Sequence, residues 1–235
     1  MMQNIDRQSE MRLPGAALLL IVPAPSLGVW AAMIAWPDTG MGKTIFFACK
    51  AWMLALPVLW LLLVDRGRLS LSPARRGGFG IAVLLGLIIS AVVAAAYLLL
   101  GRHWIDSAHV REMADQNGIG TPRLYLAGVA YWVLINSVLE EYVYRWFIFR
   151  KCEALMPSGV AVLGSAAAFT IHHVLALRLQ FDWNVTILAS MGILIGGAVW
   201  SWLYLKYRSV WPGYLSHAIV DIAVFAVGWL IIFGA

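Results

Sequence analysis

The chain has 235 residues, of which 62% are hydrophobic and only 12% charged, and it carries a net charge of +5 at pH 7. A soluble globular domain does not have that balance, so the composition points to a polytopic membrane protein and excludes a water-soluble enzyme. No basic stripe with interleaved aromatics is present, which argues against nucleic acid as a partner and leaves the lipid bilayer as the first one.

Apolar stretches fall near 13–36, 43–64, 79–100, 123–149, 158–177, 184–205 and 210–233. At about 1.5 Å per helical residue each is long enough to cross a hydrocarbon core about 30 Å thick. The expected fold class is therefore all-α: a polytopic transmembrane helical bundle of about seven spans, with its active site inside the bundle. The first stretch follows Arg7 and Arg12 as a secretory signal would. However, Pro14, Pro23 and Pro25 interrupt it and no small-residue cleavage site is clear, so it reads as a retained span, kinked or partly re-entrant. Lys50, in the second span, reads as a snorkelling or cavity-lining residue, with contact to an acidic substrate group as the alternative. The longest polar insert, 101–122, reads as a surface helix or an ordered flap ahead of the fourth span.

The remaining spans complete one integral-membrane domain, 1–235. Residues 1–122 hold spans one to three and the insert, and residues 123–235 form a four-span half that carries the chemistry. Gly192, Gly196, Gly197 and Ala198 in the sixth span predict close helix packing. Trp36, Trp104 and Trp211 lie near span ends, as interfacial anchors do. Cys49 and Cys152 are the only cysteines, too few for a disulfide framework or a thiolate metal site.

Loop charges give an orientation. If spans alternate, Arg7, Arg12, Arg66, Arg68, Arg75, Arg76, Arg150, Lys151, Lys206 and Arg208 share one side. Basic residues on the other side are thinned by Asp38, Asp106, Glu112, Asp115 and Asp182. The excess of Lys and Arg predicts a cytoplasmic N-terminus and an external C-terminus, and the expected location is the inner (plasma) membrane of a bacterium.

Three polar constellations interrupt the last four spans. Glu140, Glu141 and Arg145 lie in the fourth, His172 and His173 in the fifth, and His217 and Asp221 in the seventh. Ionised side chains in a span cost several kcal/mol each unless paired or facing a polar cavity, so the set is a functional-site candidate. Residues four apart share a helix face. Glu141 and Arg145 can form an ion pair with the acid in the favourable N-terminal position, which is a structural role. Glu140 has only Tyr144 one turn on, and a carboxylate without a cation in a low-dielectric site is suited to general acid–base work. Phe169 precedes His173 by one turn and can wall its ring, which selects His173 over His172; a histidine near a helix end more often bonds to backbone or water. Asp221 follows His217 by one turn and can hold one imidazole nitrogen, leaving the other for substrate or water. One carboxylate and two imidazoles suffice to activate a water and stabilise an oxyanion.

Glu140-Glu141-x-x-x-Arg145, Phe169-x-x-x-His173 and His217-x-x-x-Asp221, in that order on successive apolar segments, resemble the motif set of the CPBP family. These are the CAAX-protease and bacteriocin-processing (Abi) proteins, which include the eukaryotic Ras-converting CAAX endopeptidase. The resemblance covers roughly 123–225. It implies a glutamate-dependent intramembrane endopeptidase without a metal or other cofactor, acting on a membrane-anchored or lipidated protein or peptide through a CAAX, leader or sorting-tail cleavage. It also implies that Glu140 and His173 activate the water while His217 and Asp221 support the oxyanion. The CAAX-cleaving branch typically has asparagine at the last position; here either Asp221 is protonated or it orients a protonated His217 that donates instead.

Two rival readings use the same residues. Glu140, His173 and His217 are a set that can bind catalytic zinc, although no H-E-x-x-H helix exists. A non-enzymatic immunity protein or a proton-coupled transporter would also bury titratable groups, although paired broken helices and repeats are not evident.

Overall fold

The computed structural model describes residues 12–234. Eight helices build it: α1 (Pro14–Ala35), α2 (Gly40–Val64), α3 (Phe79–Trp104), α4 (Ser107–Gln116), α5 (Pro122–Glu153), α6 (Ser158–Gln180), α7 (Trp183–Tyr207) and α8 (Val210–Phe233). All but α4 are long and apolar enough to cross a membrane, and no strand occurs among the described residues. The fold is the all-helical, seven-span one expected.

In α1 the helix passes Pro23 and Pro25 with a break at Val22, where Pro23 supplies no N–H. The 22 residues of α1 suffice for a full crossing, so the break interrupts the span without ending it. The polar insert forms α4, capped by the Asp106 carboxylate, which accepts from Ala108 N–H at 2.9 Å. Arg111 of α4 donates to the carbonyls of Ile231 and Gly234, both at 3.2 Å. The insert is thus a surface helix fastened over the C-terminal end of α8, where carbonyls lack intrahelical partners.

The opposite end of the bundle is tied by a buried ion pair. Lys151, at the end of α5, donates to Asp65, after α2, at 2.6 Å, and Asp65 also accepts from Arg12 N–H at 2.9 Å. Arg208 forms a two-pronged pair with Glu153 at 2.6 and 2.8 Å. These contacts put the start of α1 and the ends of α2, α5 and α7 on one side, as alternating spans require. Lys151 is only 1% exposed, so it acts as an internal counter-ion rather than the free rim charge expected from the loop pattern.

The centre of the bundle is α5. Its hydrogen bonding widens into π-helical turns over Trp132–Asn136 and Tyr142–Phe149, on either side of an α-helical turn Ser137–Glu141. Such turns rotate successive side chains off the usual repeat. Residues Val143 to Phe149 are all buried, so this stretch is enclosed by other helices on every side. Close approach around it depends on small residues. A Cβ on Gly197 of α7 would meet the Ala166 backbone of α6 at 3.3 Å, and one on Gly86 of α3 would meet Ser216 O of α8 at 3.1 Å. A Cβ on Gly192 would meet nothing within 4 Å and one on Gly196 only Trp200 of its own helix, so of these three glycines Gly197 serves packing between helices.

Candidate active site

Three helices deliver the polar residues to one place, and a fourth walls it. The Ser137–Glu141 turn of α5, held between its two wide turns, carries Glu140 and Glu141; α6 carries His172 and His173; α8 carries His217 and Asp221. From α7, Trp200 supplies a wall.

Glu141 and Arg145 are both 0% exposed. Arg145 Nε lies 3.5 Å from Glu141 Oε1, the pairing expected from their spacing. No atom of the guanidinium makes a hydrogen bond among the described residues. Its carbon instead sits 4.8 Å from the Phe169 ring centre, 5.3 Å from Trp200 and 5.9 Å from Tyr144. Aromatic faces attract a desolvated cation by about 1–2 kcal/mol each, which offsets part of its burial. Phe169 therefore backs the arginine as well as His173, whose ring centre is 4.6 Å away.

His217 is 4% exposed and stacks on Trp200 with ring centres 3.8 Å apart and planes 17° from parallel. Its Nδ1 lies 3.2 Å from Glu141 Oε1. Its Nε2 faces Glu140 Oε2 at 3.7 Å and Asp221 Oδ1 at 3.6 Å. The closest partner of the imidazole is thus Glu141, where the i,i+4 spacing pointed to Asp221. The reason is tertiary: α8 packs against α5 so that Glu141 approaches from the side opposite Asp221. Gly213 permits this approach, because a Cβ there would collide with Glu141 Oε2. Asp221 Oδ2 is within 2.6 Å of Ser137 Oγ, which also reaches Trp132 O at 2.8 Å.

His173 Nδ1 donates to the Phe169 carbonyl at 2.8 Å, which leaves Nε2 as the other nitrogen of the ring. His172 does not turn away, as its spacing suggested. Its ring centre is 4.0 Å from that of His173, it stacks on Tyr144, and its Nδ1 is 3.2 Å from the Tyr144 hydroxyl. Glu140, His172 and His173 present ligand atoms all within 4.8 Å of one another. That triple could hold a metal ion; the sequence-based zinc set had His217 in place of His172.

A cavity of about 250 Å³ opens onto Glu140, His172 and His173 and is also lined by Lys50, Trp132 and Asn136. Glu140 is the carboxylate that links the parts, since it shares this cavity with the two histidines of α6 and faces His217 of α8. Spacing alone did not reveal Ser137 or Trp200, and it placed Tyr144 beside Glu140 without showing its contact with His172. Trp200 did leave one sign in the sequence, a tryptophan at mid-span rather than at a membrane interface.

The bundle of membrane-crossing helices thus gathers Glu140, His172, His173 and His217 around one cavity. Residues 122–223, which hold most of the helices that build the site, match the family model for type II CAAX prenyl endopeptidase Rce1-like proteins. That likeness is to peptide hydrolases of the membrane. No curated protein and no solved structure matches the chain at a significant level.

Proposed function

We propose that the protein is a metal-independent glutamic endopeptidase that hydrolyses a peptide bond in a prenylated or otherwise membrane-anchored substrate. The observation that carries this reading is the position of Glu140, shared between the cavity with His173 and the Nε2 face of His217. Glu140 accepts a proton from a water whose second hydrogen is directed to His173 Nε2, while the water oxygen bonds to the scissile carbonyl carbon. The carbonyl becomes an oxyanion held by the Nε2–H of a protonated His217. Collapse breaks the C–N bond, and Glu140 returns its proton to the departing amine.

The charges favour these protonation states. A doubly protonated His217 directs N–H groups at Glu141 on one side and at Glu140 and Asp221 on the other, with the Trp200 face behind it. The Ser137 hydroxyl has one proton to give and two acceptors in reach, and it completes both contacts if Asp221 itself carries a proton. Arg145 and His217 then balance Glu140 and Glu141. Reaction moves a negative charge from Glu140 to the oxyanion without creating one in a low-dielectric site. A neutral Asp221 also takes the place of the uncharged asparagine typical of the CAAX-cleaving branch.

The close Glu140–His172–His173 triple supports a second reading, a zinc peptidase. One experiment separates the two. Full-length protein in liposomes is given a farnesylated CAAX peptide, with and without a chelator, and the products are identified by mass spectrometry. Cleavage of one internal bond, insensitive to chelation, is the expected result. Loss on chelation with recovery on zinc transfers the site to the metal reading, and absence of cleavage overturns the proposed substrate. We further propose the cytoplasmic-N-terminus orientation, on the basic residues of the α2–α3 loop, which pair with no carboxylate among the described residues.

A further inference from the structure

Lys50 has no place in the hydrolytic steps above. It lies well inside α2, about 15 Å of helix from the nearer end, where a lysine cannot be explained as an interfacial residue. Among the described residues no carboxylate lies within ion-pair distance of its ammonium. The Nζ is instead held 5.1 Å from the Trp132 ring centre and 5.6 Å from that of Phe46. Both aromatic residues line the same cavity as Lys50, Glu140, His172 and His173. Two ring faces thus hold a mid-membrane cation at the wall of the space where the scissile bond would lie.

A cation in that setting gains most from an anion that enters the cavity with the substrate. Glu140 already lines the space, which disfavours a multiply charged phosphate and favours a single charge. A lysine ammonium is a compact point charge with three donors, suited to one carboxylate. We propose that Lys50 is the subsite for a substrate carboxylate, either the α-carboxylate of a chain end or an acidic side chain close to the scissile bond. This rests on the peptidase reading and adds to it a selection rule: the enzyme prefers bonds a short, fixed distance from a carboxylate.

Binding tests the rule without requiring turnover. Full-length Glu140→Gln protein in detergent micelles is titrated with a fluorescent farnesylated CAAX peptide in three forms: free acid, C-terminal amide, and an amide ending in aspartate. The free acid is expected to bind at least tenfold more tightly than the plain amide. Lys50→Met and Lys50→Gln should abolish the difference by weakening the acid alone, and Lys50→Arg should retain it. Unchanged affinity for the amide shows that the variants are folded. Tight binding of the aspartate amide supports a side-chain source for the carboxylate, and its failure beside a tight free acid supports the chain terminus. Equal binding of acid and amide, a preference that survives Lys50→Met, or no binding of any form overturns the subsite. Cleavage by the wild-type protein is read separately, so a failure of the peptidase reading is distinguishable from a failure at Lys50.

Discussion

The carboxylates of the site divide their work according to burial and partner. Glu140 opens to the cavity; Glu141, fully enclosed, bridges Arg145 and His217. This bridging gives Glu141 and Arg145 a consequence beyond stability. Arg145→Ala leaves Glu141 with one cation fewer in a dry site, and breaking a buried pair costs about 3–5 kcal/mol, so the melting temperature in detergent should fall markedly. Glu141→Gln keeps the volume but removes the anion beside His217 Nδ1, and peptide cleavage should fall by at least tenfold with a smaller loss of stability. A Glu141→Gln enzyme with full activity would show that His217 is oriented by Asp221 after all. At this scale the sequence was informative about which residues are unusual and less so about their partners. The Glu141–Arg145 pair was legible because both lie on one helix. The Glu141–His217 and Ser137–Asp221 contacts join residues 76 and 84 positions apart and depend on how α5 meets α8.

At the scale of elements, α5 and its contact with α8 decide the site. The wide turns on either side of Ser137–Glu141 let one helix enclose Arg145 while presenting Glu140 to the cavity. Face-sharing by fours is reliable in a regular α-helix and loses its footing across such turns, so spacing could not foresee that Val143 to Phe149 would all be buried. Adjacent histidines on α6 were expected to diverge by about 100°, yet both reach the Glu140 side because Tyr144 holds the His172 ring. The α5–α8 approach also hinges on a missing side chain. Gly213→Ala places a methyl group against Glu141 Oε2, and relief of that overlap should cost about 1–3 kcal/mol and lower cleavage by displacing the carboxylate from His217. Gly192→Ala, in open space on α7, should leave both the melting temperature and the activity unchanged. Equal behaviour of the two variants in a parallel melting and activity assay would remove the close-approach argument.

Over the whole molecule, the seven spans were legible because length and hydrophobicity alone specify a membrane-crossing helix, and α4 betrayed itself as the one polar insert. The buried Asp65–Lys151 pair was hidden, since its partners stand 86 residues apart and each resembles an ordinary loop charge in sequence. It fastens the α1–α2 portion to the end of α5, and so joins the half that carries Lys50 to the half that carries Glu140. Lys151→Met alone leaves Asp65 buried without its cation and should destabilise by about 3–5 kcal/mol, whereas Asp65→Leu combined with Lys151→Met should recover most of the loss. Thermal melting of the three proteins measures this directly, and a double variant no better than Lys151→Met would deny the pair its structural role.

The hydrolytic account depends most on Glu140 as the group that takes the proton from water. Its most direct measurement is the rate of peptide-bond hydrolysis by Glu140→Gln protein against the unaltered chain, both in liposomes with chelator present and with melting temperatures recorded alongside. General-base catalysis is worth about 10²–10⁴ in rate, so the account predicts a fall of that size at an unchanged melting temperature. Hydrolysis within about threefold of the unaltered rate would contradict it.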